Sequence, residues 1–102
     1  MVTARQSRAR QIAADTPDPE IPQLTLADLG ILRLVAVDSG RVRVVLTPTY
    51  TGCPAIQTMR QDVARRLGRA GYADVRVDLA LSPPWSSDWI TAEGRRKLAA
   101  GG

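Results

Sequence analysis

The segment from Asp74 to Leu81 alternates between aliphatic and mostly polar side chains. Such alternation places every second residue on the same face of a β-strand. Val75, Val77, Leu79 and Leu81 would then form an apolar face, with polar residues on the other. This pattern predicts a sheet that is buried on one face only, with helices covering that face.

Two further strands are predicted on either side of a short turn. The segments 31–38 and 41–47 are rich in β-branched and aliphatic residues, and they flank Asp38-Ser39-Gly40. A short turn with glycine between two such segments is typical of a β-hairpin. In the second strand Val42, Val44 and Leu46 share one face, which we expect to point into the core.

Four helical segments complete the predicted fold. The main one runs from about Pro54 to Ala70, with an apolar stripe at Ile56, Met59, Val63 and Leu67. The others are an N-terminal segment to about residue 14, a turn capped at residue 25 that stops at Gly30, and residues 91–99. We predict an α/β (α+β) two-layer sandwich with a mostly antiparallel three-stranded sheet, helices on one face and the order α-β-β-α-β plus a short C-terminal helix. The expected organisation is one domain over residues 1–102, with an arm at 1–16 and a core at 17–98.

Composition excludes several classes of function. The 102 residues include no histidine, so histidine-based catalysis and imidazole metal sites are ruled out. No apolar run approaches the ~20 residues of a membrane span, and the N-terminus has no secretory signal pattern. The net charge is +4, but the arginines are spread and aromatic residues are scarce, so we expect no nucleic-acid partner. A single cysteine suits a reducing compartment, and the sequence predicts a soluble cytoplasmic domain.

The lone cysteine lies in the most informative stretch, Thr47-Pro48-Thr49-Tyr50-Thr51-Gly52-Cys53-Pro54. Proline is tolerated at the first helical position, which predicts Pro54 there and Cys53 at the N-cap. A thiol at a helix N-terminus is favoured as the thiolate, so we expect Cys53 to be accessible and to titrate below the usual value of about 8.5. The alternative is a small buried cysteine that acts as an apolar plug.

Oxygen-bearing side chains surround this thiol in the sequence. Thr47, Thr49 and Thr51 precede it, and three acids lie upstream at Asp18, Glu20 and Asp28. Together with Cys53 they suggest a thiol with oxygen ligands nearby, and Cys53 is the candidate for transient metal binding. The alternative interpretation is that the threonines favour strands while the acids begin turns and helices.

Several motifs resemble one known family, the iron–sulfur assembly-factor domain of bacterial SufT and of a eukaryotic cytosolic targeting-complex subunit. The matching stretches are Asp18-Pro19-Glu20-Ile21-Pro22, Asp28-Leu29-Gly30-Ile31, Leu46-Thr47-x-Thr49 with Thr51-Gly52-Cys53-Pro54, and Pro83-Pro84-Trp85 with Ile90-Thr91-x-x-Gly94-Arg95-Arg96-x-Leu98. Within the family, the form of residues 46–56 and of Trp85-Ser86-Ser87-Asp88-Trp89-Ile90 is similar to the branch found with the phenylacetyl-CoA epoxidase of phenylacetate degradation.

The resemblance implies a maturation factor, and not an enzyme, that delivers iron–sulfur clusters with Cys53 as the working residue. It implies an apo-client iron–sulfur protein or oxygenase subunits as partners, and a transient iron–sulfur cluster or iron as the cofactor. It also implies a cysteine-rich, zinc-ribbon-like tail, which residues 1–102 do not contain, so we expect no function of such a tail from these residues. The alternatives are a non-catalytic accessory subunit of the oxygenase with a structural cysteine, and a small thiol enzyme.

Self-association is also expected. The edge of a three-stranded sheet offers unpaired backbone groups, and Trp85 and Trp89 lie in a proline-bounded segment that could form an interface. The alternative is that both tryptophans fold back on their own core. We expect a homodimer held by a strand edge or by the tryptophan segment.

Overall fold

The predicted hairpin forms the centre of the fold. The structure is a computed structural model that describes residues 3–50 and 54–100. In it β1 (Leu32–Asp38) and β2 (Arg41–Leu46) pair antiparallel. The turn places Ser39 at φ 51° and Gly40 at φ 83°. Positive φ at both central residues is what a two-residue type I′ turn requires, and this turn matches the twist of the strands that it joins.

The third strand makes the sheet mixed. β3 (Asp74–Leu79) pairs with β2 in parallel, and the strand order is β1-β2-β3. The expectation of a mostly antiparallel sheet is therefore wrong, since one of the two pairings is parallel. The reason is the connection: helix α3 (Ile56–Arg69) returns the chain to the starting end of β2 before β3 begins.

One face of the sheet is buried and the other carries charge, as the alternation predicts. The apolar stripe of α3 is buried together with sheet residues on the same side, namely Val35, Val42, Val44 and Val77. Helix α1 (Ala4–Ala14) packs on β1 and α3, and α3 packs on β3. Leu79 lies on this face in register with the buried Leu46, although it is 37% exposed. The prediction that Leu81 also completes the apolar face is wrong, since it is 55% exposed. Pairing of β3 ends at Leu79, so Leu81 lies beyond the strand.

The remaining helices form where the sequence predicts them. Helix α2 (Leu26–Leu29) begins with a capping box between Thr25 and Asp28 and ends at Gly30, whose φ is 73°. A one-turn 3₁₀ helix (Ser87–Trp89) precedes α4 (Ala92–Ala100). The Thr91 N–H donates to the Asp28 carbonyl at 2.9 Å, which ties α4 to α2. Within residues 3–50 and 54–100, none of the helices is long and apolar enough to cross a membrane.

Candidate functional site

Helix α3 begins later than the sequence predicts. Its N-cap is Ala55, without a side-chain cap hydrogen bond, and Ile56 is the first helical residue. The prediction of Cys53 as N-cap and Pro54 as first helical residue is therefore wrong, because Pro54 and Ala55 form a turn before the helix. Cys53 and Thr51 lie outside the described residues. Helix capping consequently gives no basis for expecting an activated Cys53 thiol.

The chain approaches this segment from the end of β2. Thr47 is buried, and its N–H donates to the Ile31 carbonyl at 2.9 Å. Tyr50 is 52% exposed, so the backbone passes from the core to the surface within three residues. Pro54, on the far side of the undescribed residues, is exposed as well. The residues at the two ends of the undescribed segment therefore lie at the protein surface.

Two cavities meet at Thr49 and Trp85 beside this segment. The smaller, of about 170 Å³, is lined by Thr47, Pro48, Thr49, Tyr50, Leu81, Pro84 and Trp85. The larger, of about 330 Å³, is lined by Asp18, Glu20, Ile21, Leu24, Leu29, Thr49, Trp85, Ile90 and Leu98. Its walls are mostly apolar, and its acids come from the proline-rich segment. We call this larger space the acidic cavity.

The acidic cavity brings together three of the residues singled out in the sequence: Asp18, Glu20 and Thr49. The Asp18 side chain is buried, and its Oδ2 accepts hydrogen bonds from the N–H groups of Glu20 at 3.0 Å and of Ile21 at 2.8 Å. These bonds hold its carboxylate in one orientation and order the turn that carries Glu20. Thr47 lines the smaller cavity next to it.

Asp28 lies apart from both cavities and has partners in the helices. Its Oδ2 accepts from the Thr25 N–H at 3.0 Å and from Lys97 Nζ at 2.7 Å. Burial raises the pKa of this carboxyl, but the bonds from Lys97 and Thr25 outweigh it and hold the pKa below its ordinary value. Asp28 thus joins α2 to α4, on which Leu98 lines the acidic cavity.

We expect Lys97→Met to cost about 1 kcal/mol of unfolding free energy at neutral pH, because it leaves the buried Asp28 carboxylate without its cation. A carboxyl with a depressed pKa stabilises the fold above its unfolded pKa and loses that contribution as the pH falls through its folded pKa. The difference between wild type and variant should therefore shrink as the pH is lowered below about 4. Urea unfolding at several pH values measures it, with Arg66→Met as the control for loss of one exposed positive charge. A difference that does not change with pH would contradict the pairing.

Trp85 is the residue of this site whose role the sequence left open. Its side chain folds back on the core: Nε1 donates to the Leu29 carbonyl at 2.7 Å, and its ring forms a wall of both cavities. The Arg33 guanidinium lies 4.1 Å from the centre of the Trp89 ring. The two prolines before Trp85 indicate in the sequence that its backbone is restricted. The spacing of residues could not show that its indole N–H would bind the Leu29 carbonyl.

A preformed metal site is not found in the described part of the chain. Between residues 3 and 50 and from 54 to 100, no three acidic, cysteine or histidine side chains lie close enough to hold a metal ion together.

Comparison with known proteins now gives the family. The model of the family described as iron–sulfur cluster assembly protein matches residues 14–79, more than half of the chain. The chain belongs to this iron–sulfur cluster assembly family. The match begins at the end of α1 and ends with β3. Trp85, whose ring lines both cavities, and helix α4 therefore follow the matched region.

Two relatives of this family member carry informative names. An Escherichia coli (strain K12) protein, provisionally named as a subunit of 1,2-phenylacetyl-CoA epoxidase, is 38% identical over 87 residues. The match covers 85% of this chain but only 53% of that protein, so the chain spans about half of its relative. A Porphyromonas gingivalis (strain ATCC BAA-308 / W83) protein named Fe-S protein maturation auxiliary factor is 35% identical, covering 79% and 78% of the two chains.

A solved structure confirms the fold. A domain of unknown function from Bacillus anthracis superposes with a TM-score of 0.85 at 22% sequence identity. The superposition covers 94% of this chain and 92% of the other. The two proteins therefore share the small α+β architecture, with helices packed on a three-stranded sheet, and at this level of identity the likeness concerns the fold alone.

Proposed function

We propose that this family member delivers iron–sulfur clusters, or iron for them, to a client protein and uses Cys53 as its working ligand. The observation that carries the proposal is the acidic cavity, where Asp18, Glu20 and Thr49 meet beside the segment that contains the lone cysteine. Membership in an iron–sulfur assembly family supports the same role. The cluster is the cargo of this protein rather than its resident cofactor.

A single thiolate suits a carrier. One soft sulfur ligand binds iron weakly compared with the four thiolates that hold most protein clusters, so cargo can leave it easily. The carboxylates of Asp18 and Glu20 would add hard oxygen ligands for iron in transit. Remaining ligands would come from client cysteines or from a second copy of the chain. A lone free thiol also suits the reducing cytoplasm, where we place this protein.

The client that we propose is the phenylacetyl-CoA epoxidase system of phenylacetate degradation. The name of the Escherichia coli relative supports this assignment, and the sequence resemblance to that branch agrees with it. Because the chain spans about half of that relative, the activity of the whole relative is not transferred to it. The word subunit in the same name favours one alternative, a non-catalytic accessory subunit of the oxygenase with a structural cysteine.

Reactivity of the thiol separates these two functions. We expect Cys53 in the folded protein to be alkylated at a rate comparable to that in denaturant, because Tyr50 and Pro54, at the two ends of the segment that contains it, are exposed. Cys53 is the only cysteine, so the stopped-flow or mass-spectrometric signal has no background. A thiol protected by orders of magnitude in the folded protein would contradict the carrier and favour the accessory subunit.

Two single variants, one in the cavity and one far from it, test whether the thiol and the acidic cavity form one site. Glu20→Gln removes a negative charge from the cavity, and nearby negative charge favours the neutral thiol. The rate at a fixed pH should therefore rise in this variant. Asp74→Asn is the matched control, since Asp74 pairs with Arg41 at the opposite end of the sheet. Equal rates in all three proteins would separate Cys53 from the cavity.

A further inference from the structure

The outer edge of β3 presents its backbone in a regular pattern. Leu79 is in register with Leu46 of β2, and the Ala80 N–H donates to the Leu46 carbonyl at 2.9 Å. In a parallel ladder the neighbours of a registered residue make the bonds, so Leu79 turns its own N–H and carbonyl away from β2. By the same alternation Val75 and Val77 also turn outward. Among these groups the Val77 carbonyl accepts from Arg60 Nη2 at 2.9 Å.

The two edges of the sheet differ in how far their backbone groups are already hydrogen-bonded. On the β1 edge the side-chain amide of Gln6 satisfies the backbone groups that a neighbouring strand would otherwise bind. Its Nε2 donates to the Val35 carbonyl at 2.5 Å and its Oε1 accepts from the Val37 N–H at 2.9 Å. Helix α1 thereby blocks β1 from pairing with another chain. On the β3 edge, within the part of the chain that the structure describes, only a carbonyl is covered. The N–H groups that a new strand needs are left available.

The space beside the β3 edge has room for side chains of an added strand. A groove of about 240 Å³ runs between α3 and β3 and is lined by Gln57, Arg60, Gln61, Ala64, Val75 and Val77. Leu79, at the end of the strand, is an exposed aliphatic residue on the same side. A strand added here would point alternate side chains into this groove, so aliphatic residues at those positions would be preferred.

We propose that a second copy of this chain pairs with the β3 edge, antiparallel and with Val77 on the two-fold axis, to form a continuous six-stranded sheet. In this register the outward-facing residues match: Val77 pairs with the partner's Val77, and Val75 with the partner's Leu79. Each such pair exchanges two backbone hydrogen bonds. Val75 and Leu79 from the two copies also cover each other over the grooves.

Charge selects this register over its neighbour. On the open face Arg76 then lies opposite the partner's Asp78, and Asp78 opposite the partner's Arg76. A shift of one residue in each copy would place Arg76 opposite the partner's Arg76 and Asp74 opposite the partner's Asp78. Like charges directly opposite one another in a sheet are destabilising. Within one chain Arg76 Nε already reaches Asp78 Oδ1 at 3.1 Å, so both side chains lie on the same face.

Sedimentation equilibrium of charge-swapped variants tests the pairing. The wild-type chain is expected to dimerise at high micromolar concentration. Arg76→Asp alone, or Asp78→Arg alone, should weaken the dimer roughly tenfold or more, because each turns two opposite-charge pairs into like-charge pairs. A one-to-one mixture of the two single variants should restore association, and so should the double variant Arg76→Asp with Asp78→Arg. Thermal melts of each variant check that the monomer stays folded.

Several results would overturn the proposal. They are a wild-type chain that stays monomeric, single variants that dimerise as well as wild type, or a mixture that fails to associate better than its components. Arg60→Ala gives a further check, since it frees the Val77 carbonyl and should tighten the dimer. A weaker dimer in that variant would mean that the Arg60 bond to the Val77 carbonyl supports association, which would contradict direct pairing of Val77 with the partner's Val77. The proposal does not rest on the function of Cys53, so either can fail without the other.

Discussion

Alanine in place of Gly30 is expected to destabilise the protein by about 2–5 kcal/mol. Gly30 ends α2 with φ at 73°, a conformation that costs a residue with a Cβ about 1–2 kcal/mol. A Cβ built there would also lie 2.5 Å from the Trp89 carbonyl oxygen and 2.6 Å from the Trp89 Cβ. Backbone cannot give way as a flexible side chain can, so the 3₁₀ turn must shift at a further cost of about 1–3 kcal/mol.

Gly71→Ala is the matched control. Gly71 also has a positive φ, 99°, but nothing lies within 4 Å of the position that a Cβ would take there, so only the backbone term should appear. Urea unfolding of both variants measures the difference, which is the cost of displacing the Trp89 segment. Ile90, which follows Trp89 directly, and Trp85 both line the acidic cavity, so Gly30→Ala should also disturb the site. Equal losses in the two variants would contradict the close packing.

Cys53→Ser is expected to abolish client maturation while leaving the fold nearly unchanged. Serine keeps the size of cysteine but is a poor ligand for iron, so delivery should fall to the level of cells that lack the factor. Because the N-cap of α3 is Ala55, the substitution leaves the capping residue of this helix unchanged. The readout is activity of the epoxidase system in cells without the native factor, with a thermal melt of the purified variant. Full activity with serine would make the accessory subunit the better assignment.

Most of the fold could be predicted because it follows from local patterns. Alternation located β2 and most of β3, the three-four-four spacing of Ile56, Met59, Val63 and Leu67 located the buried face of α3, and Thr25 with Gly30 marked both ends of α2. Each of these signals depends on neighbouring residues only. They needed no knowledge of what lies across the molecule.

The features that the sequence did not predict depend on distant parts of the chain. The parallel pairing of β3 with β2 follows from the direction in which α3 returns the chain, which alternation cannot reveal. The turn at Pro54 and Ala55 delays α3 although proline is compatible with a helix start. Trp85 reaches the Leu29 carbonyl 56 residues away, and Lys97 reaches Asp28 across 69 residues. For the same reason the sequence could not show that Asp18, Glu20 and Thr49 line one cavity.

Transfer of a cluster from the purified chain tests the central claim most directly. The chain would be loaded with iron and sulfide under anaerobic conditions and mixed with the apo form of a ferredoxin-type client, with a chelator present to capture free iron. Visible circular dichroism follows the cluster that appears on the client. The account predicts transfer from the wild-type chain and none above the chelator background from Cys53→Ser. Equal transfer from both proteins, or none from either, would contradict a role for Cys53 in iron–sulfur delivery.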